Sequence, residues 1–143
     1  MIAVDTNILI YAHRREFAEH EAARQLLLAL ADGPELWGIP VFCLGEFLRV
    51  ATHPAILQPP SSLKAALDAL EALFESSSLR VLMPEEQFPR ILLRTVAQAK
   101  AIGNLAFDAQ IAALCHEHGI RVLWSNDRDF ALFAGIEARP LAV

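Results

Sequence analysis

The chain is short of several things, and each shortage closes a class of explanation. Two cysteines, Cys43 and Cys115, are too few for a disulfide framework. Both sit in apolar helical contexts and read as buried free thiols of a reducing compartment. No apolar run approaches the ~20 residues that span a bilayer. The start, MIAV, reads as a strand, and no basic segment precedes an apolar stretch there. The expectation is a cytoplasmic protein with no membrane part. Positive charge is scarce: 12 Lys and Arg face 17 Asp and Glu, for a net charge of −5. That balance argues against broad electrostatic binding to nucleic acid. It does not exclude a nucleic-acid enzyme, because clustered carboxylates that hold metal ions inflate the acidic count. With no repeat, low-complexity segment or linker, the 143 residues fit a single domain over 1–143.

Apolar residues are what the chain has in excess. They make up 55% of it, much of this Ala and Leu at helical spacing. An apolar surplus beyond one small core points to a homodimer or a permanent partner.

Short apolar runs alternate with helical patterns. Strands are expected at 1–4, 37–39, 79–82, 121–124 and 138–141. Helices are expected at 6–13, 17–31, 41–52, 89–101 and 104–118, with another from the Ser61–Ser62 caps to Phe74. Pro40 and Pro89 suit helix first turns, whereas Gly103 and Gly119 suit helix ends. Residues 53–60 read as a loop, and Ser125–Asp129 as a turn into a short helix. The alternation predicts an α/β fold with a central parallel sheet flanked by helices. Leu63, Leu67, Leu70 and Phe74 form a stripe that is either core or dimer surface.

Four acids stand out: Asp5 in VDTNILIYA, Glu46 in LGEFLRV, Asp108 in NLAFDAQIAAL and Asp127 in VLWSNDRDF. Each lies in or beside an apolar stretch, where a lone carboxylate is costly to bury. Asp5 and Asp127 follow strands, and ligands of an open parallel sheet bind outside the carboxyl ends of its strands. Glu46 and Asp108 sit on helices, placed to reach the same edge. Four clustered carboxylates repel one another without a cation. A hard divalent ion, Mg²⁺ or Mn²⁺, prefers oxygen ligands and relieves that repulsion. Two ions about 3.5–4 Å apart activate a water and stabilise the leaving oxygen of a phosphodiester. Thr6, Asn7, Ser125 and Asn126 add polar groups that orient the acids.

Each acid also has a plainer reading. Asp5 and Asp127 suit helix N-caps, Asp108 suits a helix dipole, and Glu46 suits a solvated helix face. Only their joint occurrence favours a metal site. Arg49, Arg14 and Arg128 are candidates for holding RNA phosphates, and Arg49, one turn from Glu46, leads. An ion pair between Arg49 and a site acid is the equal alternative. Trp37 is a candidate for base stacking, and Trp124 reads as core. His116 and His118 do not share a helical face, which argues against a zinc site. DTN after the first strand lacks the second acid of an aspartyl phosphatase. A catalytically silent module that binds RNA or protein is the alternative from another class.

Taken in order, VDTNILIYA, LGEFLRVATHP, NLAFDAQIAALCHEHG and VLWSNDRDF resemble the PIN-domain ribonucleases, most closely the VapC-type toxins of toxin–antitoxin systems. The resemblance covers almost the whole chain. It implies an α/β/α sandwich and a metal-dependent endoribonuclease toxin. It further implies a homodimer and inhibition by a cognate VapB-type antitoxin. The family's acidic quartet carries over to Asp5, Glu46, Asp108 and Asp127. Its polar companions carry over to Asn7 and Ser125, with Thr6 and Asp129 adjoining. At the last motif, Asp127 faces the metal by the family pattern. Asp129 either caps the following helix or pairs with Arg128 or another neighbour.

Overall fold

A computed structural model describes residues 1–142. In chain order the elements are β1 (Ile2–Val4), α1 (Thr6–His13), α2 (His20–Asp32), β2 (Trp37–Pro40), α3 (Val41–Thr52) and α4 (Leu63–Phe74). There follow β3 (Leu79–Leu82), α5 (Phe88–Ala99), α6 (Leu105–Glu117), β4 (Val122–Trp124), a short 3-10 helix (Arg128–Leu132) and β5 (Glu137–Arg139). Among the described residues, five strands form one sheet in the order β3-β2-β1-β4-β5, and every neighbouring pair is parallel.

That order explains where the helices go. The chain moves from β1 through β2 to β3 in one direction, then jumps back over β1 to β4. Parallel crossovers are right-handed. Reversing the direction therefore moves the later helices to the opposite face. α1 packs on α2 and α3, and α3 on α4, whereas α5 pairs with α6. The expected sheet covered on both faces is what forms.

The core follows from the apolar runs. Trp37, Ile39, Leu82 and Leu123 are buried on the strands, in one cluster with Ile8, Phe47, Ile120 and Phe130. Burying one such side chain is worth roughly 1.5–3 kcal/mol. Trp37 is only 1% exposed, and its Nε1 donates to Ser78 Oγ at 3.1 Å. It is therefore core and cannot stack a base. Half-buried Trp124 lies under the Arg139 guanidinium, 5.5 Å from the ring centroid.

Several boundaries differ from the sequence expectation. Pro40 ends β2 and is the N-cap of α3, so it is not in the helix. α2 begins at His20, because 14–19 form turns. α5 stops when Lys100 takes a left-handed φ of 52°, three residues before Gly103. The last strand is Glu137–Arg139, set by its register with β4 (Val122 opposite Glu137). Ser62 caps α4, accepting from Ala65 N at 3.1 Å. On α4, Leu70 is buried beside Ala66, while Leu63, Leu67 and Phe74 are exposed. The helix is rotated so that Ala66 shares the buried line, and most of the leucine stripe faces out.

Candidate active site

The sheet has one topological switch point, between β1 and β4, and the candidate site lies at its carboxyl edge. Asp5 is the first residue after β1, and its N–H donates to Trp124 O of β4 at 3.0 Å. Ser125 is the first residue after β4, and its N–H donates to Arg139 O at 3.0 Å. Sheet pairing thus sets Asp5 and Ser125 side by side. Ser125 Oγ donates to Asp5 Oδ2 at 2.7 Å, and Thr6 N donates to Asp5 Oδ1 at 2.7 Å, which caps α1. The Cys43 thiol, one turn before Glu46 on α3, approaches Asp5 Oδ1 at 3.7 Å. Asn7 Nδ2 lies 3.2 Å from Ser125 Oγ and 3.4 Å from Asp5 Oδ2. Asn7 Oδ1 accepts from Asn126 N at 3.3 Å, and Asn126 Oδ1 accepts from Leu141 N at 2.8 Å. Asp5, buried and fully engaged, is the anchor at the back of the site. Thr6 is buried too, and its hydroxyl has no hydrogen-bond partner among the described residues.

In front of that anchor opens a cleft of about 1010 Å³. α3 lines it with Val41, Phe42, Gly45, Glu46 and Arg49, and α6 with its N-cap Asn104 and with Phe107, Asp108, Gln110 and Ile111, together with Asp127 and Asp129. Phe42, Gly45, Glu46 and Arg49 fall at i, i+3, i+4 and i+7, as do Asn104, Phe107, Asp108 and Ile111, the spacing of one helical face. Each helix therefore presents one face to the cleft. A smaller apolar pocket of about 330 Å³, among α1, α2, α3 and α4, touches none of the acids.

Asp108, Asp127 and Asp129 each offer a carboxylate oxygen within 4.8 Å of the others. Among the described residues none of the acids at this site has an ion-pair partner. Two of the acids, Asp5 and Asp108, are raised by burial and by the crowding. Burial pushes Asp5 up to about 6, and the charges of Glu46 and Asp127 add to it, against hydrogen bonds from Ser125 and Thr6 that pull it down. Partial burial, then the charges of Asp127, Asp5, Asp129 and Glu46, push Asp108 up to about 7. Burial and the nearby Asp5 charge also hold the Cys43 thiol well above its ordinary value.

A PIN domain model matches residues 2–136. The chain belongs to the PIN-domain family. Among curated relatives it is similar to Ribonuclease VapC48 of Mycobacterium tuberculosis, at 34% identity over 94% of this chain and 93% of the relative. It is similar to Ribonuclease VapC43 of the same organism at 35% identity, covering 97% and 94%. Of solved structures, VapBC2 from Rickettsia felis, bound to a promoter DNA fragment, superposes with a TM-score of 0.73 at 17% identity over 99% of this chain and 100% of that one. VapC20 of Mycobacterium tuberculosis, a sarcin–ricin loop cleaving toxin, gives 0.70 at 20% identity, covering 95% and 98%. At those identities the two structures speak for the fold.

The acidic set of this PIN domain suits a divalent cation. Its donors are hard oxygens, they crowd one another, and among the described residues none of them has an ion-pair partner. Of the four acids singled out in the sequence, Glu46, Asp108 and Asp127 line the cleft, and Asp5 lies at the sheet edge behind it. The last motif is redistributed: Asp127, not Asp129, caps the 3-10 helix, accepting from Asp129 N at 2.9 Å. Asp129 instead joins the carboxylate group, with no ion pair to Arg128 among the described residues. Arg49 is exposed on the cleft, with no ion pair there either. Arg14 lies outside the cleft: its guanidinium binds Glu16 at 2.6 Å, Pro59 O at 2.6 Å and Ser61 Oγ at 3.2 Å. Arg128 is exposed at the start of the 3-10 helix and does not line the cleft. His116 and His118 bond separate carbonyls, of Ala134 and Met83. Sequence reasoning missed the Cys43 contact and the cleft positions of Phe107 and Gln110, because an apolar helix such as α6 carries no signal for which residue faces out.

Proposed function

We propose that this PIN-domain protein is a metal-dependent endoribonuclease of the VapC type, a toxin neutralised by a VapB-type antitoxin. The observation that carries it is the group of acids at the switch point of a parallel sheet, with no ion-pair partner among the described residues. Asp108, Asp127, Glu46 and Asp129 are the residues to hold Mg²⁺ or Mn²⁺, over the buried Asp5. When bound, the metal would supply activation of water and charge stabilisation at the scissile phosphate. Asp5, through Ser125 and Asn7, fixes the position of the β4 turn that carries Asp127. One of the acids accepts the proton of the attacking water. Arg49 is placed to hold a phosphate at the mouth of the cleft. The similarity to ribonucleases of the VapC type and to VapBC structures supports this reading.

Exposed Leu63, Leu67 and Phe74 on α4 support a homodimer or a partner surface. Among the described residues no helix is long and apolar enough to cross a membrane. A catalytically silent module is the second reading. The half-burial of Asp108 among acidic neighbours, which pushes it up to about 7, weighs against it, since a fold with no ion to bind gains nothing from that cost.

The test is induced expression of wild type and Asp108→Asn in a bacterial host, with new RNA 5′ ends mapped. Growth arrest and discrete new ends from the wild type alone support the reading. The products carry 5′-phosphate and 3′-hydroxyl ends; 2′,3′-cyclic phosphate ends would rule out water attack. Equal arrest from both proteins would sink the metal-nuclease reading.

A further inference from the structure

RNA has little charge to hold it in this cleft. The chain carries a net −5, the cleft mouth is crowded with carboxylates, and among the described residues Arg49 is the one cation that lines it. Binding must draw on something other than phosphate neutralisation. Phe107 offers it. The residue is 64% exposed although it sits on a helix that buries Ala109 and the whole run Ile111–Cys115. It lines the cleft next to Asp108, on the stripe with Asn104 and Ile111. On α3, Gly45 is a bare position in the same cleft: an added Cβ would meet nothing within 4 Å. An exposed ring in a cleft whose other helix keeps open room is suited to a flat, uncharged group. Asn104 and Gln110 add neutral hydrogen-bonding groups beside it.

We propose that Phe107 is the platform on which one unpaired base of the RNA substrate stacks, setting the adjacent phosphate over the carboxylates. This rests on the ribonuclease reading above and adds a specificity-determining residue to it. The substrate is then single-stranded at the cut, since within a duplex both faces of a base are covered by its stacked neighbours.

The test is fluorescence anisotropy of short fluorescein-labelled oligoribonucleotides of A, C or U, with Ca²⁺ in place of Mg²⁺ so that binding is read without turnover. Phe107→Ala should lose affinity roughly tenfold or more, the range of one base–aromatic stack. Phe107→Trp should keep it. Abasic oligonucleotides should bind wild type and Phe107→Ala alike. Equal affinities of wild type and Phe107→Ala for base-bearing RNA would overturn the proposal, as would loss in the Trp variant. A change of oligomeric state in Phe107→Ala by light scattering would overturn it too, assigning Phe107 to a protein interface. Wild type that binds as expected but cleaves nothing in Mg²⁺ or Mn²⁺ would sink the nuclease reading alone.

Discussion

Asp108→Asn should make the metal-free protein more stable while removing its activity. In the folded chain Asp108 is pushed from an ordinary 3.8 up to about 7, first by partial burial and then by its acidic neighbours. A carboxylate raised in this way favours folding fully below pH 3.8, and the contribution is lost as pH rises through about 7. The gap, at roughly 1.4 kcal/mol per pH unit, has an upper limit of ~4 kcal/mol. Asp108 is half-exposed to water, so screening reduces the usable figure to ~1–2 kcal/mol. Its side chain makes no hydrogen bond among the described residues that the amide would break. Thermal unfolding in EDTA at steps from pH 4 to pH 8 reads this out. At pH 8 the variant should melt about 3–8 °C above wild type. The difference should shrink to nothing near pH 4. With Mn²⁺ the wild type should gain and the advantage fade or reverse, because a bound cation removes the repulsion. A variant no more stable than wild type at pH 8, or equally favoured at pH 4, would refute the reasoning.

Three further substitutions probe the site and its frame. Ser125→Ala removes the 2.7 Å bond that holds Asp5 down, so Asp5 should rise further above about 6. The acidic limb of the pH–rate profile should then move up by about one pH unit, and an unmoved limb would detach Asp5 from catalysis. Gly45→Ala should stabilise α3 by up to ~1 kcal/mol, since the new methyl has open space, yet raise KM by narrowing the cleft. An unchanged KM would exclude close approach of substrate to that helix. Gly38→Ala places a Cβ 2.8 Å from Leu82 Cγ and Cδ2. It should cost ~1–3 kcal/mol in chemical denaturation, and a neutral result would show that Leu82 can move aside.

The parts legible in sequence are those set by local chemistry. β1 could be read because four apolar residues stop at an acid, and α6 because Gly119 stops a long apolar helix in the left-handed region, at φ 69°. Asp5 and Asp127 could be brought together because strand ends in a parallel sheet share an edge, and Glu46 and Asp108 because each lies early enough in its helix to reach that edge. What sequence did not show depends on rotation and neighbours. The Leu63-Leu67-Leu70-Phe74 stripe has perfect helical spacing, yet only Leu70 is buried, because α4 turns Ala66 inward. Phe107 lies in an almost uniformly apolar helix, so periodicity cannot say that it faces water. Asp127 and Asp129 are two residues apart in a tight turn, where either could cap, and only the backbone path assigns the cap to Asp127.

The plain and the functional readings of these acids are not rivals. Asp5 uses Oδ1 to cap α1 and Oδ2 to take the Ser125 hydroxyl, so the cap itself fixes the carboxylate that anchors the site. Asp127 uses Oδ1 to cap the 3-10 helix, which leaves Oδ2 without a protein partner among the described residues and available to the cleft. Helix starts at strand ends thus do two tasks with one side chain: at Asp5 the cap fixes the buried anchor, and at Asp127 it leaves one oxygen for the cleft. Asn caps a helix about as well as Asp but carries no charge. Asp→Asn changes at Asp127 therefore separate the tasks, keeping the turn while removing the charge. Alanine at the same position removes both, so a loss of activity there cannot be assigned to either.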